Sequence, residues 1–324
     1  MTAIGDRDLA TLRPRLSAFC YQMLGSPFEA EDAVQDVLER VWRSRRSFDP
    51  SRASLSTWSL RIAHNVCVDR LRGASRRPLP RDLSGPGIDV GAPLVPAFDV
   101  PWLMPAPKAW LGETESSLPM ERAADVRLAV TAVLQTLPAR QRGVFLLRVV
   151  MGCSAIETAT VLDSTVAAVN SALQRARLAV GQEAGRPRAL RSGHVERYAR
   201  AIERADLEAL VAVVSDDVML EMPPVPAWSR GREDYRAFMA YLFQWRGADW
   251  VTRLVDAVGQ PAMLLYRVTS DGPVPHTVQL LDADASGAVS HVLVYQVPEL
   301  FSMFEASVGA PTDAPTDEWA PARS

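Results

Sequence analysis

The chain has 324 residues, 48% of them hydrophobic, with 35 basic against 38 acidic side chains and a net charge of −3. That length suits two or three domains, and the balance of charge excludes a protein that grips duplex DNA tightly by bulk basicity alone. No apolar run approaches the roughly 20 residues of a bilayer helix, and residues 1–15 lack the cationic start and apolar core of a signal peptide. No membrane partner and a cytoplasmic location are therefore expected.

Charge is distributed unevenly. Residues 1–80 hold 13 Arg and 9 acids, residues 120–192 hold 10 Arg and 5 acids, and residues 193–324 hold 10 Arg and 19 acids. Two mildly basic segments suited to nucleic acid precede an acidic one. Cys20, Cys67 and Cys153 lie far apart on apolar helical faces. That is neither a disulfide framework nor a zinc spacing, so buried thiols are expected, with no metal and no cofactor.

In chain order, Leu9, Leu12, Leu16, Phe19 and Met23 repeat every three or four residues and predict a helix ending near Gly25-Ser26-Pro27. A second helix has Val34, Val37, Leu38, Val41 and Trp42 on one face. Its other face carries Glu31, Asp32, Gln35, Asp36 and Glu39, and Asp49-Pro50-Ser51 then makes a turn. In the third, Ser59, Ile62, Ala63, Val66, Cys67 and Leu71 share a largely apolar arc. Arg61, Asn65, Arg72 and Arg76 fall within about 60° of each other opposite it. A stripe of guanidinium and amide groups ending at Arg76-Arg77 suits a phosphate backbone and exposed base edges. A solvated arginine-rich face is the alternative reading, and Arg70, inside the apolar arc, belongs to neither.

An acidic helix, then DPSRASLSTW, then RIAHNVCVDRLR resembles region 2 of the extracytoplasmic-function sigma factors of bacterial RNA polymerase, over residues 10–77. The resemblance implies that Glu31, Asp32, Gln35 and Asp36 dock on the β′ clamp of the polymerase core. It also implies that Phe48, Asp49, Ser54, Trp58, Arg61, Asn65, Arg72, Arg76 and Arg77 capture and open the −10 promoter element around an unstacked base.

Residues 78–119 contain nine prolines, which predict an extended linker without helices. Trp102-Leu103-Met104 is apolar for a free tether and is expected to pack on another domain or on a partner. Helices resume over residues 122–135 and from Pro138 to Met151. Ser154-x-x-Glu157 is a capping-box pattern, Asp163-Ser164-Thr165 a turn, and residues 166–180 a final helix: the helix-turn-helix layout. Val166, Ala168, Val169, Ala172, Leu173, Ala176 and Val180 share one half of that helix. Asn170, Ser171, Gln174, Arg175 and Arg177 occupy the other, a set suited to base edges in a major groove. LPARQRGVFLLRVVMGCSAIETATVLDSTVAAVNSALQRAR resembles sigma region 4. This implies contact of Arg140, Arg142, Ser164, Thr165 and the five polar residues of the last helix with the −35 element, and contact with the polymerase β subunit.

After a hinge at Gly185-Arg186-Pro187-Arg188, helices over residues 195–214 precede a strand at 218–222 and a proline-rich loop at 223–230. A helix at 231–245, strands at 250–258, 263–269, 274–281 and 289–297, and a short helix at 300–304 follow. The pattern predicts an α+β cone with a curled antiparallel sheet. DLEALVAVVSDDVMLEMPPVPAWSRGREDYRAF resembles the SnoaL-like branch of the nuclear-transport-factor-2-like superfamily.

The expected fold is therefore two all-α domains joined by a Pro-rich linker, plus a C-terminal α+β cone. Residues 7–77 are region 2, 78–119 the linker, 120–182 region 4, 193–308 the cone and 309–324 a disordered tail. The resemblance implies a non-enzymatic sigma factor whose cone contacts the sigma domains and modulates them in cis. The alternative is a helix-turn-helix regulator whose cone is a small-molecule sensor or an enzyme. For that cone, Glu221, Trp228, His276 and His291 are the candidate pocket, with Met219, Met222, Phe238, Gln279 and Tyr295 around it.

Overall fold

The computed structural model describes residues 4–73, 76–111, 128–183 and 193–308. Three helices come first: α1 (Asp6–Leu24), α2 (Pro27–Ser44) and α3 (Leu55–Leu71). Gly25 ends α1 in the left-handed region at φ 71°. A Cβ there would meet Arg77, Gln135 and Leu103 at 3.0 Å, so both conformation and space call for glycine. Ser26 caps α2 by accepting from the Glu29 N–H, with Pro27 in the first turn, where its missing donor costs nothing. Leu16, Phe19, Val34, Val37, Leu60, Ala63 and Cys67 form the shared core. Arg70 is accounted for by its ion pair with Asp36 at 2.6 Å, which ties α3 to α2.

The proline-rich segment is the expected coil, with the apolar run at Trp102-Leu103 packed as its composition predicted. Its prolines do exclude long helices, leaving short 3-10 turns at Pro80–Asp82 and Lys108–Leu111. The coil is nevertheless packed, with Leu79, Trp102, Leu103 and Ala106 buried. Within the coil, Leu103 N donates to Pro78 O at 3.1 Å, and toward the helices Met104 N donates to Gly25 O at 3.0 Å. Toward the cone, Gly87 N donates to Trp228 O at 2.7 Å, Ala97 N to Pro224 O at 2.8 Å and Val258 N to Ala106 O at 3.0 Å. Coil backbone can be buried only when its polar groups find such partners. Residues 112–119, the expected helix start at 122, the hinge at 185–188 and the tail from 309 lie outside the described residues.

The second helical unit comprises α4 (Leu128–Thr136), α5 (Ala139–Phe145, running on as a π-helical turn over Leu146–Val150), α6 (Ala155–Val161) and α7 (Val166–Glu183). The capping box forms: Ser154 N donates to Glu157 Oε2 at 2.7 Å and Glu157 N to Ser154 Oγ at 3.1 Å. Val169, Ala172, Leu173 and Ala176 are buried, whereas Val166 and Ala168 are exposed. This unit packs on the first. Arg15 Nη2 donates to Met151 O at 2.7 Å and Thr131 Oγ1 to Gln22 Oε1 at 3.3 Å, within one continuous core.

The remainder is α8 (His194–Glu203), α9 (Leu207–Val213), β1 (Val214–Met222), β2 (Val225–Arg230), α10 (Arg232–Arg246), β3 (Trp250–Ala257), β4 (Gln260–Thr269), β5 (Gly272–Ala283), β6 (Val289–Tyr295) and α11 (Pro298–Val308). The sheet order is β2-β1-β6-β5-β4-β3. Because β1 and β6 run parallel, the sheet is mixed rather than antiparallel throughout. The expected loop at 223–230 contains β2, which pairs with β1 after the cis Pro223-Pro224 bond. Leu220, Met263, Leu265 and Leu281 face α8, α9 and α10. Leu264, Leu280, Leu293 and Tyr295, on the other face, join α11 and the helical core.

Candidate functional site

Phe48 and Trp58 place their ring centroids 5.2 Å apart, inclined at 39°. With Asp49, Thr57 and Arg61 they line a recess of about 210 Å3. Ser54 builds this corner by capping α3 through the Thr57 N–H at 3.0 Å. The Asp49 carboxylate accepts from Ser51 Oγ and N at 2.7 and 2.9 Å, bonds that hold its pKa below the usual carboxylate range. Arg61, Asn65, Arg72 and Arg76 are exposed. Arg72 pairs with Asp69 at 2.9 Å and Arg76 with Asp82 at 3.4 Å.

Arg77 does not belong to this surface. Its Nε donates to Leu24 O at 2.5 Å, its Nη1 to Trp102 O at 3.3 Å, and it forms an ion pair with Glu29. The helical projection fails here because α3 ends at Leu71, so Arg76 and Arg77 follow no helical spacing. On α2, Glu31, Asp32 and Gln35 are exposed, while Asp36 is half-buried in its pair with Arg70.

Asn170, Ser171, Gln174, Arg175 and Arg177 form an exposed face of α7. Thr165 Oγ1 accepts from the Ala168 N–H at 3.2 Å, and Arg140 Nη2 donates to Ser164 Oγ at 2.8 Å beside the turn. Arg142 is a correction. It is buried, donating to Met23 O, to Gln135 Oε1 at 2.8 Å, to Gln135 O at 3.1 Å and to Leu137 O at 3.3 Å. Burial pushes its pKa down to about 10, so it remains a cation at neutral pH. It joins the helical units instead of facing DNA. The recess around Phe48 and Trp58 is also lined by Thr160 and Val161 of α6, so the second unit lies against it.

The four residues expected to form one cone pocket separate onto two faces. Strand alternation puts Leu220 toward the helices, so its neighbour Glu221 points the other way. There the fully buried Glu221 carboxylate accepts from Arg81 N and Nη1, both at 3.0 Å, and lies 2.7 Å from His291 Nε2. Trp228 is buried and donates from Nε1 to Ser84 O at 2.9 Å. His276 lines a separate cavity of about 140 Å3 with Met222, Phe238 and Gln279, whereas Met219, Trp228 and Tyr295 do not line it. Arg81 was missed by sequence reasoning, because an arginine in a proline-rich coil carries no periodic signal. Among the described residues no three His, Cys, Asp or Glu side chains come together as metal ligands.

An aromatic recess with a basic stripe, a helix-turn-helix and an acidic helix face define a two-part DNA reader of the transcription machinery. The sigma-70 region 2 family matches residues 9–77, sigma-70 region 4 matches 127–180, and the SnoaL-like domain matches 195–295. The ECF RNA polymerase sigma factor SigG of Mycobacterium tuberculosis is 36% identical over 304 residues, covering 90% of this chain and 81% of that protein. SigW of Bacillus subtilis is 27% identical over 190 residues, covering 55% of this chain and 90% of that one. The crystal structure of M. tuberculosis SigJ matches with a TM-score of 0.58 at 20% identity, over 92% of this chain and 99% of that chain, and so shares the fold. The chain belongs to the extracytoplasmic-function (ECF) RNA polymerase sigma factors and carries a SnoaL-like domain after region 4.

Proposed function

We propose that this sigma factor is held closed in cis by its cone and linker and must open to load onto polymerase. In the open form, Glu31, Asp32 and Gln35 dock on the β′ clamp and region 4 on the β subunit. Phe48, Asp49, Ser54, Trp58, Arg61, Asn65, Arg72 and Arg76 take the −10 strand. Arg140, Ser164, Thr165 and the polar face of α7 take the −35 duplex. Its place of action is the cytoplasm, with the polymerase.

The observation that carries this reading is the contact of Thr160 and Val161 with the recess around Phe48, Trp58 and Arg61. A base entering that recess displaces region 4, and two promoter elements spaced along a duplex require the two domains to part. The cone supports the closed form through Glu221, which grips Arg81, and through Tyr295, whose hydroxyl donates to Leu103 O at 2.9 Å. We read the cone as non-enzymatic: Glu221 and His291 are bonded into the linker contact, on the face opposite His276, so they make no acid/base pair with it.

Run-off transcription with purified core polymerase on a two-part promoter tests this. Template-specific transcripts are expected only with added protein, and Arg81→Ala, which frees the linker from the cone, raises output. Equal output from wild type, Arg81→Ala and a chain ending near Gln182, at low and high salt, overturns cis control. Transcripts that do not depend on added protein overturn the promoter assignment.

A further inference from the structure

The cone cavity has features that neither promoter reading nor domain closure uses. It measures about 140 Å3, and its wall combines Phe238, Leu242 and Trp250 of the cone with Leu94 and Pro96 of the linker. An apolar cavity of about this size takes a body as large as benzene. Its charge is one-sided. Arg246 and His276 line it, and among its described lining residues there is no carboxylate.

Arg246, the last residue of α10, lays its guanidinium 3.8 Å over the Trp245 ring. Its Nε is buried without a hydrogen-bond acceptor. His276 lies against Trp250 with ring centroids 5.1 Å apart and planes tilted by 43°, brought into the cavity by a β-bulge that shifts the pairing between Leu265 and Tyr266. Burial first, then the charges of Arg246 and Arg267, push its pKa down to about 4. It is therefore a neutral ring able to donate or accept. Deeper in, Tyr235 donates to Tyr198 at 2.9 Å, Tyr198 to Gln279 at 3.4 Å, and Gln279 to Thr277 at 3.3 Å. These groups satisfy one another, leaving Arg246 as the cation without a counter-charge in the wall.

We propose that this cavity binds a small apolar monocarboxylate, its hydrocarbon body between Phe238, Trp250 and Leu94 and its carboxylate on Arg246. A guanidinium fork meets a carboxylate with two parallel bonds, stronger than the bonds a neutral polar group makes. Because Leu94 and Pro96 form part of the wall, an occupant contacts linker and cone together. Binding itself needs only the cone and the docked linker. Any effect on transcription rests on the proposed closed arrangement, and the test is read without polymerase so that the two can fail separately.

The test is calorimetry on the full-length protein with benzoate, and with benzamide as its neutral isostere. Saturable binding of benzoate is expected, with benzamide at least about tenfold weaker. Arg246→Gln brings benzoate down to the benzamide level. Hydrogen exchange across residues 88–97 slows when benzoate is added to wild type and does not slow in Arg246→Gln. Absence of benzoate binding, equal affinity for benzamide, or unchanged affinity in Arg246→Gln overturns the site. Exchange across residues 88–97 that ignores bound benzoate overturns the linker's part in it.

Discussion

Arg142 and Met23 are joined across the seam between the two sigma domains, the guanidinium donating to the main-chain carbonyl near the end of α1. The same side chain reaches Gln135 and Leu137, so one residue that is 5% exposed organises three segments. Four hydrogen bonds from Nη1 and Nη2 offset the cost of burying this cation, while its Nε is buried without a partner.

Arg142→Ala leaves the Met23, Gln135 and Leu137 carbonyls short of a donor. The expected loss is about 2–4 kcal/mol of unfolding free energy, measured by chemical denaturation. On the proposed closed arrangement, core polymerase affinity rises in parallel. A loss under about 0.5 kcal/mol shows that the seam does not depend on this residue.

Gly143 tests the seam without touching a hydrogen bond. A Cβ there would sit 2.8 Å from His64 Cδ2 and 2.9 Å from its Nε2. Both His64 ring nitrogens are buried without a partner, and burial lowers the ring's pKa. Gly143→Ala therefore wedges α5 from α3 and costs about 1–3 kcal/mol. Faster hydrogen exchange in both α3 and α5 is the expected signature. Exchange unchanged in α3 means that His64 moves aside and the seam stays shut.

Much of this architecture was legible because its signals are local. The capping box at Ser154, the Asp163 turn and the period of α1 to α3 each depend on a few neighbouring residues. The failures share a physical reason, which is that their partners are distant in sequence. Arg77, from the basic stripe, and Arg142, from the resemblance to region 4, were expected at DNA, yet each donates to a distant carbonyl, Leu24 O and Met23 O. The apolar run at Trp102-Leu103-Met104 predicted packing, and Trp102 and Leu103 are buried, yet no pattern within the coil announces which cone and helix groups pair its backbone. Strand β2 was hidden by Pro223, Pro224 and Pro226, and the parallel β1–β6 pairing has no signature in either strand alone. In the cone, composition offered Glu221, His276 and His291 together, and strand alternation with the bulge at His276 placed them on opposite faces.

The two DNA faces should fail differently. Arg61→Ala removes a cation from the wall of the Phe48–Trp58 recess, so permanganate footprinting should show reduced melting with −35 binding intact. Gln174→Ala or Arg177→Ala on α7 should weaken −35 recognition by about 1–3 kcal/mol for each base edge no longer read. Normal melting with Arg61→Ala removes that residue from strand opening.

The latch between Arg81 and Glu221 predicts a dependence on pH. Burial alone would push the Glu221 carboxyl up, but His291 and Arg81 outweigh it together and hold the pKa below the usual range. A carboxyl whose folded pKa lies below the unfolded value of about 4.3 contributes stability that is fully present above that value. The contribution is lost as pH falls through the folded pKa, because protonation removes the charge that Arg81 and His291 grip. Glu221→Gln keeps the shape, loses the charge and should flatten this acid limb in denaturation midpoints taken between neutral pH and pH 3. Glu221→Ala, which leaves Arg81 without its acceptor, should cost about 2–4 kcal/mol at neutral pH and release the linker. Proteolysis then cuts within residues 83–100 faster than in wild type. In polymerase assays both variants should raise transcription relative to wild type, Ala more than Gln. Faster cutting of the linker with unchanged transcription would separate the latch from control of the sigma domains.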